Sequence, residues 1–362
     1  MITQQPDQAR VDAFAKQMLG VLNSAALSLM ISIGHKTRLF DTMADLPPST
    51  SEQIAEAAGL HERYVREWLA AMVTGRIIEY DPTQGTYTLP QEHAALLTRS
   101  AGPSNLAVMQ QYLVSIANVQ DDIIDCFQHG GGVPYSSFPG FQQLMAEASA
   151  DGLDARLVQV VLPLVTGLIE RLQIGIDVAD IGCGSGHAIN LMAKAFPNSR
   201  FVGYDFSEEG IAAASEEARR LTLTNARFEV KDVSLLDIAE QFDLITAFDT
   251  IHDQARPMQV LNGIDRALRP DGTFLMVDTS GSSKLEENMR HPLGPFLYTV
   301  SCNHCMTVSL ALDGDGLGTM WGEQKARQML QDAGFTLQEV KRVKGDISNN
   351  YYISSKSKEG ET

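Results

Sequence analysis

Apolar residues recur at helical spacing through 11–34, and the following TRLFDTMADLPP predicts a short helix stopped by two prolines. Ser49 stands three residues before Glu52, the spacing of a capping box, and predicts a helix start that runs to Gly59. A second helix places Leu60, Tyr64, Trp68 and Met72 four apart, beside Val65 and Leu69, and Gly75 ends it. RIIEY and TYTLP then flank DPTQG, a turn between two short strands. Further helices are expected over 104–175, interrupted by HGGGVPYSSFPG, a Gly/Pro/aromatic loop too long for a tight turn that either lines a pocket or connects helices. From Ile176 the pattern changes to alternating strands and helices. IDVADI, RFVGYD, ARFEVKD, FDLITAFD and GTFLMVDT read as strands, with HAINLMAKAF and SEEGIAAASEEARRLT as helices between the first three.

Helix, turn, helix and hairpin make a winged helix, which raises nucleic-acid binding as a function. Charge argues against it. Between Ser51 and Pro90 the cations are Arg63, Arg66 and Arg76, against Glu52, Glu56, Glu62, Glu67, Glu79 and Asp81, with no lysine. A recognition helix needs an electropositive face to meet phosphates. The segment is therefore read as a packing or dimerisation element, with no nucleic-acid partner.

The chain has 362 residues, enough for two domains at about 150 residues each. Its formal net charge of −17 disfavours phosphate backbones and anionic membranes as partners. Four scattered cysteines, Cys126, Cys183, Cys302 and Cys305, do not form a disulfide framework and suit a reducing cytoplasm. The start, MITQQPDQAR, lacks a signal-peptide pattern, and apolar runs such as 25–33 and 158–169 fall short of the roughly 20 residues of a membrane span. A cytoplasmic protein with no membrane partner is expected.

The βαβ alternation argues for a doubly wound parallel sheet with its ligand at the carboxyl ends of the strands. A dinucleotide fingerprint requires a glycine three positions after the second one, and His187 stands there. Asp180, close to the same loop, would also meet a pyrophosphate unfavourably. S-adenosylmethionine carries a sulfonium and an ammonium and no phosphate, so Asp180 suits its amino-acid end. Gly182, Gly184 and Gly186 allow close backbone approach. Asp205, ending the second strand, is placed to accept from both ribose hydroxyls. Asp232, ending the third, can accept from the adenine amine, with Val233 or Phe206 against the ring. Cys183 inside the turn is a small residue backing the cofactor, and Phe248 at the end of the fourth strand completes the cofactor set.

DVADIGCGSG, FVGYDFS, FEVKDVS, FDLITAFD and LRPDGTFLMVD, in this order, resemble class I S-adenosylmethionine-dependent methyltransferases over residues 177–279. With the winged-helix start, most of the chain resembles bacterial methyltransferases of this type and, more distantly, plant-type small-molecule O-methyltransferases. The resemblance implies a seven-stranded Rossmann-like sheet whose last strand is antiparallel. QEVKRV and YYISSK, after a helix at 322–333, fit that ending. It further implies a helical winged-helix domain over 1–100 that dimerises and covers substrate, and a helical linker and cap over 101–174. The methyltransferase domain would occupy 175–362, with an insertion at 281–321.

Methyl transfer asks an enzyme to align a nucleophile and remove its proton. His252, followed by Asp253, resembles the histidine-aspartate pair of plant-type O-methyltransferases and is the candidate general base, although Gln254 replaces the tryptophan that follows that pair. The insertion offers His304, Met306 and Trp321 as substrate lining. Cys302 and Cys305 have no second pair with which to bind zinc, so no metal is expected. The expected function is methylation of a small, largely apolar molecule at oxygen, sulfur or nitrogen. The alternatives are a protein methyltransferase, or a winged-helix regulator that binds S-adenosylmethionine without turnover.

Overall fold

The computed structural model describes residues 6–357 and divides into two compact units, Met1–Val114 and Ser115–Thr362. In the first, helices Gln8–Lys36, Leu39–Ala44, Ser51–Ala58 and Glu62–Thr74 precede an antiparallel hairpin of β1 (Glu79–Asp81) and β2 (Thr86–Thr88). This is the winged helix. Its core gathers Phe40, Ile54, Trp68, Leu69 and Met72, all buried, with the Phe40 and Trp68 rings edge-on at 5.2 Å. The indole Nε1 of Trp68 donates to the Met30 carbonyl at 2.8 Å, which ties the long first helix to this core.

Two details of the first unit depart from expectation. The capping box lies one residue later, with Thr50 and Gln53 bonding reciprocally, because Thr50 is the residue that holds the extended cap conformation. Tyr64 is 79% exposed. A strict four-residue series drifts around a 3.6-residue helix, and the face that packs is Val65, Trp68, Leu69 and Met72. On the outer face, Arg63 pairs with Glu67 at 2.6 Å and Arg66 with Glu62 at 3.3 Å, so these cations are neutralised within the helix.

Helix Gln8–Lys36 is long and apolar enough, by length and composition, to cross a membrane. Counting uninterrupted apolar runs missed this, because Asn23, Ser24, Ser28 and Ser32 break the run without making the helix polar. Phe14, Leu19 and Leu22 on it are 59%, 62% and 65% exposed.

The second unit contains a seven-stranded sheet of β3 (Asp177–Ile181), β4 (Arg200–Asp205), β5 (Ala226–Val230), β6 (Phe242–Phe248), β7 (Leu268–Thr279), β8 (Phe335–Lys341) and β9 (Asn349–Lys356), in spatial order β5-β4-β3-β6-β7-β9-β8. The pairs from β5 to β7 are parallel, and β9 runs antiparallel to both β7 and β8. Helices Pro257–Ala267 and Gly322–Asp332 cover one face through Val260, Leu261, Ile264, Ala326 and Leu330. Helix His187–Ala195 and the 157–172 segment cover the other through Ile189, Met192, Leu157, Leu162 and Leu172. Burial on both faces explains why the central strands read as continuous apolar runs. Strand order reverses between β3 and β6, opening a crevice at their carboxyl ends.

A Cβ on Gly34 would lie 2.5 Å from the Trp68 ring and 2.7 Å from Phe40. Alanine gains up to about 1 kcal/mol of helix propensity, but overpacking two buried rings costs about 1–3 kcal/mol. Gly34→Ala is therefore expected to lower the denaturation midpoint of the first unit. An unchanged or raised midpoint in a urea titration followed by tryptophan fluorescence would contradict this packing.

Candidate active site

The turn after β3 opens the crevice. Gly182, Gly184 and Gly186 all adopt positive φ, at 68°, 52° and 69°. Their roles differ. A Cβ on Gly186 would lie 2.4 Å from Ala214 and 2.5 Å from Phe228, so this glycine is required by the protein's own packing. Gly184 faces open space, with only the Gln142 amide oxygen at 3.9 Å, and is the position at which backbone can approach a ligand. His187, where a dinucleotide site would need glycine, is instead held between Glu217 at 3.0 Å and Asp154 at 3.2 Å.

Two carboxylates flank the turn. Asp180 is buried and accepts from the Thr246 hydroxyl at 2.6 Å; burial, countered by that hydrogen bond and reinforced by nearby Asp205, pushes its pKa up to about 7. Asp205 accepts from the Gly184 and Ser207 amides, each at 2.8 Å, and burial raises it as well. No cationic side chain pairs with either among the described residues. Raised carboxylates without a cationic partner, beside a glycine whose Cα faces open space, are poor company for a pyrophosphate and good company for a sulfonium and an ammonium. The residues present fit S-adenosylmethionine.

The other sequence-derived cofactor residues occupy varied surroundings. Phe206 is 58% exposed beside Asp205. Asp232 caps the short turn Val233–Leu235, accepting from the Ser234 amide and hydroxyl at 2.9 and 2.6 Å, and Val233 is buried in the sheet core. Phe248 packs against the core on the opposite face. Cys183 points toward β4, where a Cβ on Gly203 would meet its sulfur at 2.6 Å. Burial raises its thiol pKa, so it stays protonated and inert.

After β6, the turn Ile251–Asp253 is anchored to the glycine turn by the Thr250 hydroxyl, which donates to Gly182 O at 3.2 Å. Gln254 donates to Thr250 O at 3.2 Å and its carbonyl accepts from Ser309, which binds the turn to the helical insertion. These contacts hold His252, itself buried. Its acid partner is not the adjacent Asp253 but Asp278 near the end of β7: Nδ1 donates to Oδ1 at 2.8 Å. The same oxygen accepts from Trp321 Nε1 at 3.0 Å and from the Thr279 amide at 2.8 Å, whereas Oδ2 has no partner. Burial opposes a charge on His252, but Asp278 and the neighbouring Cys305 outweigh it and raise the imidazole pKa well above 6.5.

Trp321 therefore positions Asp278 from within the sheet core. The insertion helix runs from Gly294–Val300 through a π-turn, Ser301–Cys305, into Met306–Ala311. The wider turn sends neighbouring side chains to different surroundings, a common feature of functional helices. Cys302 and Met306 line a groove of about 620 Å³ with Ile123, Phe127 and Leu310. Cys305 is buried, its sulfur accepting from the Thr319 hydroxyl at 3.0 Å. His304 is buried against Phe141, with ring centroids 3.7 Å apart. Sequence reasoning missed Asp278, Gln254's anchoring role and Phe141, and left the loop carrying Tyr135 and Phe138 as either pocket lining or connection. Asp278 had a signal: it lies at the carboxyl end of the strand next to β6.

Removing Asp278 leaves His252 buried without its counter-charge. Asp278→Ala is expected to cost about 3–5 kcal/mol of stability, and Asp278→Asn less because its amide oxygen still accepts. Urea denaturation of both variants at pH 6 checks this, and a loss under about 1 kcal/mol for the alanine variant would refute the pairing.

Comparison with known proteins gives consistent findings. Residues 25–99 match the family model of the Rv2258c-like winged HTH domain, and residues 173–334 match that of a methyltransferase domain. A malonyl-[acyl-carrier protein] O-methyltransferase of Bacillus cereus is 26% identical over 159 residues, 44% of this chain and 53% of that protein. The chain spans about half the length of the curated relatives it matches first. A crystal structure of a putative O-methyltransferase from Nostoc punctiforme superposes with a TM-score of 0.73 at 19% identity, covering 98% of this chain and all of the other. The human N-acetylserotonin methyltransferase, solved in complex with S-adenosylmethionine, gives 0.67 at 17% identity over 99% of this chain and all of the other. At these identities the structural likeness shows the fold.

Proposed function

We propose that this chain, which belongs to the S-adenosylmethionine-dependent methyltransferases with an N-terminal winged-helix domain, methylates a small, largely apolar acceptor at oxygen, sulfur or nitrogen with His252 as general base. The observation that carries the reading is the buried His252–Asp278 pair at 2.8 Å, tied through Thr250 to the glycine turn. S-adenosylmethionine supplies, when bound, an already activated methyl group. The residues that would hold it are Asp180, Asp205 and the Gly184 backbone, with Phe206, Asp232, Val233 and Phe248 as further candidates.

The protein's task is then proton removal and alignment. Asp278 accepts from Nδ1, so the neutral imidazole presents Nε2 as its lone pair. That nitrogen takes the acceptor's proton as the acceptor's electron pair forms the new bond to the methyl carbon. Asp278 would stabilise the imidazolium that results, with S-adenosylhomocysteine as the leaving product. The raised pKa of His252 has a defined consequence. A base must be deprotonated, so activity should rise with pH along a limb lying above 6.5.

Calorimetric titration should find one site for S-adenosylmethionine, with Asp205→Ala weakening it by about ten-fold or more through loss of a charge-assisted contact. His252→Ala should keep that affinity and lose roughly 10²–10⁴-fold in turnover once an acceptor is found. Asp278→Asn should move the acidic limb down toward 6.5. Absence of binding to folded protein would end the enzyme reading, and near-normal turnover in His252→Ala would remove the base.

The exposed apolar residues of helix Gln8–Lys36 support a homodimer formed through the N-terminal helices. Sedimentation at micromolar concentration should give a dimer, and Leu19→Lys with Leu22→Lys should give a folded monomer. A monomeric native protein, or one that pellets with lipid vesicles instead, would overturn this assembly.

A further inference from the structure

His304 is 2% exposed, and neither of its ring nitrogens has a hydrogen-bond partner. Both edges of the imidazole are therefore shielded from water and uncommitted. Aromatic rings surround it: Phe141 stacks on it at 3.7 Å and 18°, Phe138 meets it edge-on at 4.7 Å, and Tyr135 edge-on at 5.6 Å. Phenylalanine would fill such a slot with no unmet polar atoms, so packing alone does not account for histidine here.

The slot sits between the two halves of the site. Tyr135 reaches the Phe206 ring at 5.8 Å, next to Asp205, which connects the aromatic cluster to the cofactor corner. On the other side, Cys305 follows His304 in the chain and neighbours His252. The loop that carries Tyr135 and Phe138 is pinned to the same insertion helix, with the Val133 amide donating to the Thr307 hydroxyl at 2.8 Å.

We propose that His304 is a specificity-determining residue: its uncharged ring edge receives a second, uncharged hydrogen-bonding group of a flat acceptor held among Tyr135, Phe138 and Phe141, while the methylated atom meets His252. This rests on the function proposed above and narrows its substrate class. A neutral imidazole offers one donor and one acceptor, which suits a hydroxyl, a carbonyl or a ring nitrogen. Burial, with His252 nearby, lowers the His304 pKa to about 3, so no cation is available there to meet a carboxylate. Asp205 and Asp253 on the Tyr135 side further disfavour an anion. The acceptor is thus bifunctional and uncharged at its second polar group.

The test uses the full chain, carrying isotope-labelled histidine and saturated with S-adenosylhomocysteine. Four probes are added at millimolar concentration: naphthalene, a monohydroxynaphthalene, a dihydroxynaphthalene with hydroxyls on opposite rings, and the matching hydroxynaphthoic acid. The dihydroxy probe should shift the His304 nitrogen resonances. His304→Phe, which keeps the flat ring, should weaken it by about ten-fold, the monohydroxy probe by less than about two-fold, and S-adenosylmethionine not at all. Silence of the His304 resonances toward every probe, equal losses for both hydroxy probes, or tightest binding of the acid would each overturn the proposal. The resonances of the unsubstituted protein decide the matter even if the variant does not fold. If S-adenosylmethionine fails to bind the protein before S-adenosylhomocysteine is added, the methyltransferase reading fails and the His304 proposal falls with it, whereas silence toward the probes in protein that binds S-adenosylmethionine overturns the His304 proposal alone.

Discussion

One carboxylate oxygen organises the chemistry of the second unit. Oδ1 of Asp278 receives His252, Trp321 and the Thr279 amide, three donors from three separate stretches of chain. Each donor fixes something different. The amide holds the carboxylate against the end of β7, the indole secures the insertion to the sheet, and the imidazole becomes the group that can move a proton. A buried carboxylate is tolerable only when its charge is met, and here one buried atom satisfies that condition by gathering the parts of the site. The second oxygen has no partner, so all three bonds converge on one atom.

Much of the fold was legible because its signals are local. Five of the seven strands read as apolar runs or alternations, the last two fitted the ending that the resemblance implied, and the glycine turn read as a place of close backbone approach. The winged helix followed from a capped helix, a second helix ending at a glycine, and a hairpin. What escaped depends on contacts between distant segments. His252 and Asp278 are 26 residues apart in the chain and meet only because β6 and β7 are neighbours in the sheet. The adjacent Asp253 was the natural partner by sequence, yet the short turn over Ile251–Asp253 sends the imidazole toward β7. Trp321 illustrates the same limit. Its place in the insertion suggested substrate lining, and only the structure shows that its indole N–H donates to Asp278. The three glycines carried a subtler ambiguity. All looked like concessions to a ligand, but Gly186 answers to Ala214 and Phe228, and Gly184 alone faces open space.

The electrostatics of the crevice explain why this glycine turn suits a cation. Burial lifts Asp180 from the usual 3.8 to about 7, and Asp205 is raised beside it. A carboxylate whose pKa is raised on folding binds its proton more tightly in the folded state. The stability it contributes is present at low pH and is lost as pH climbs from the unfolded value through the folded one. Without a ligand, the site therefore opposes folding near neutrality, and no lysine or arginine offsets it among the described ion pairs of Asp180 and Asp205. A ligand bearing positive charge removes that penalty on binding, whereas one bearing phosphate enlarges it. The same pressure acts at His304, where unmet nitrogens replace unmet charge. Among the described residues, Asp180 and Asp205 have no cation beside them, and the His304 nitrogens have no hydrogen-bonding partner. On the function proposed above, selectivity would arise from what the folded chain leaves unsatisfied, because a ligand that supplies the wrong complement adds a second unmet buried group to the first.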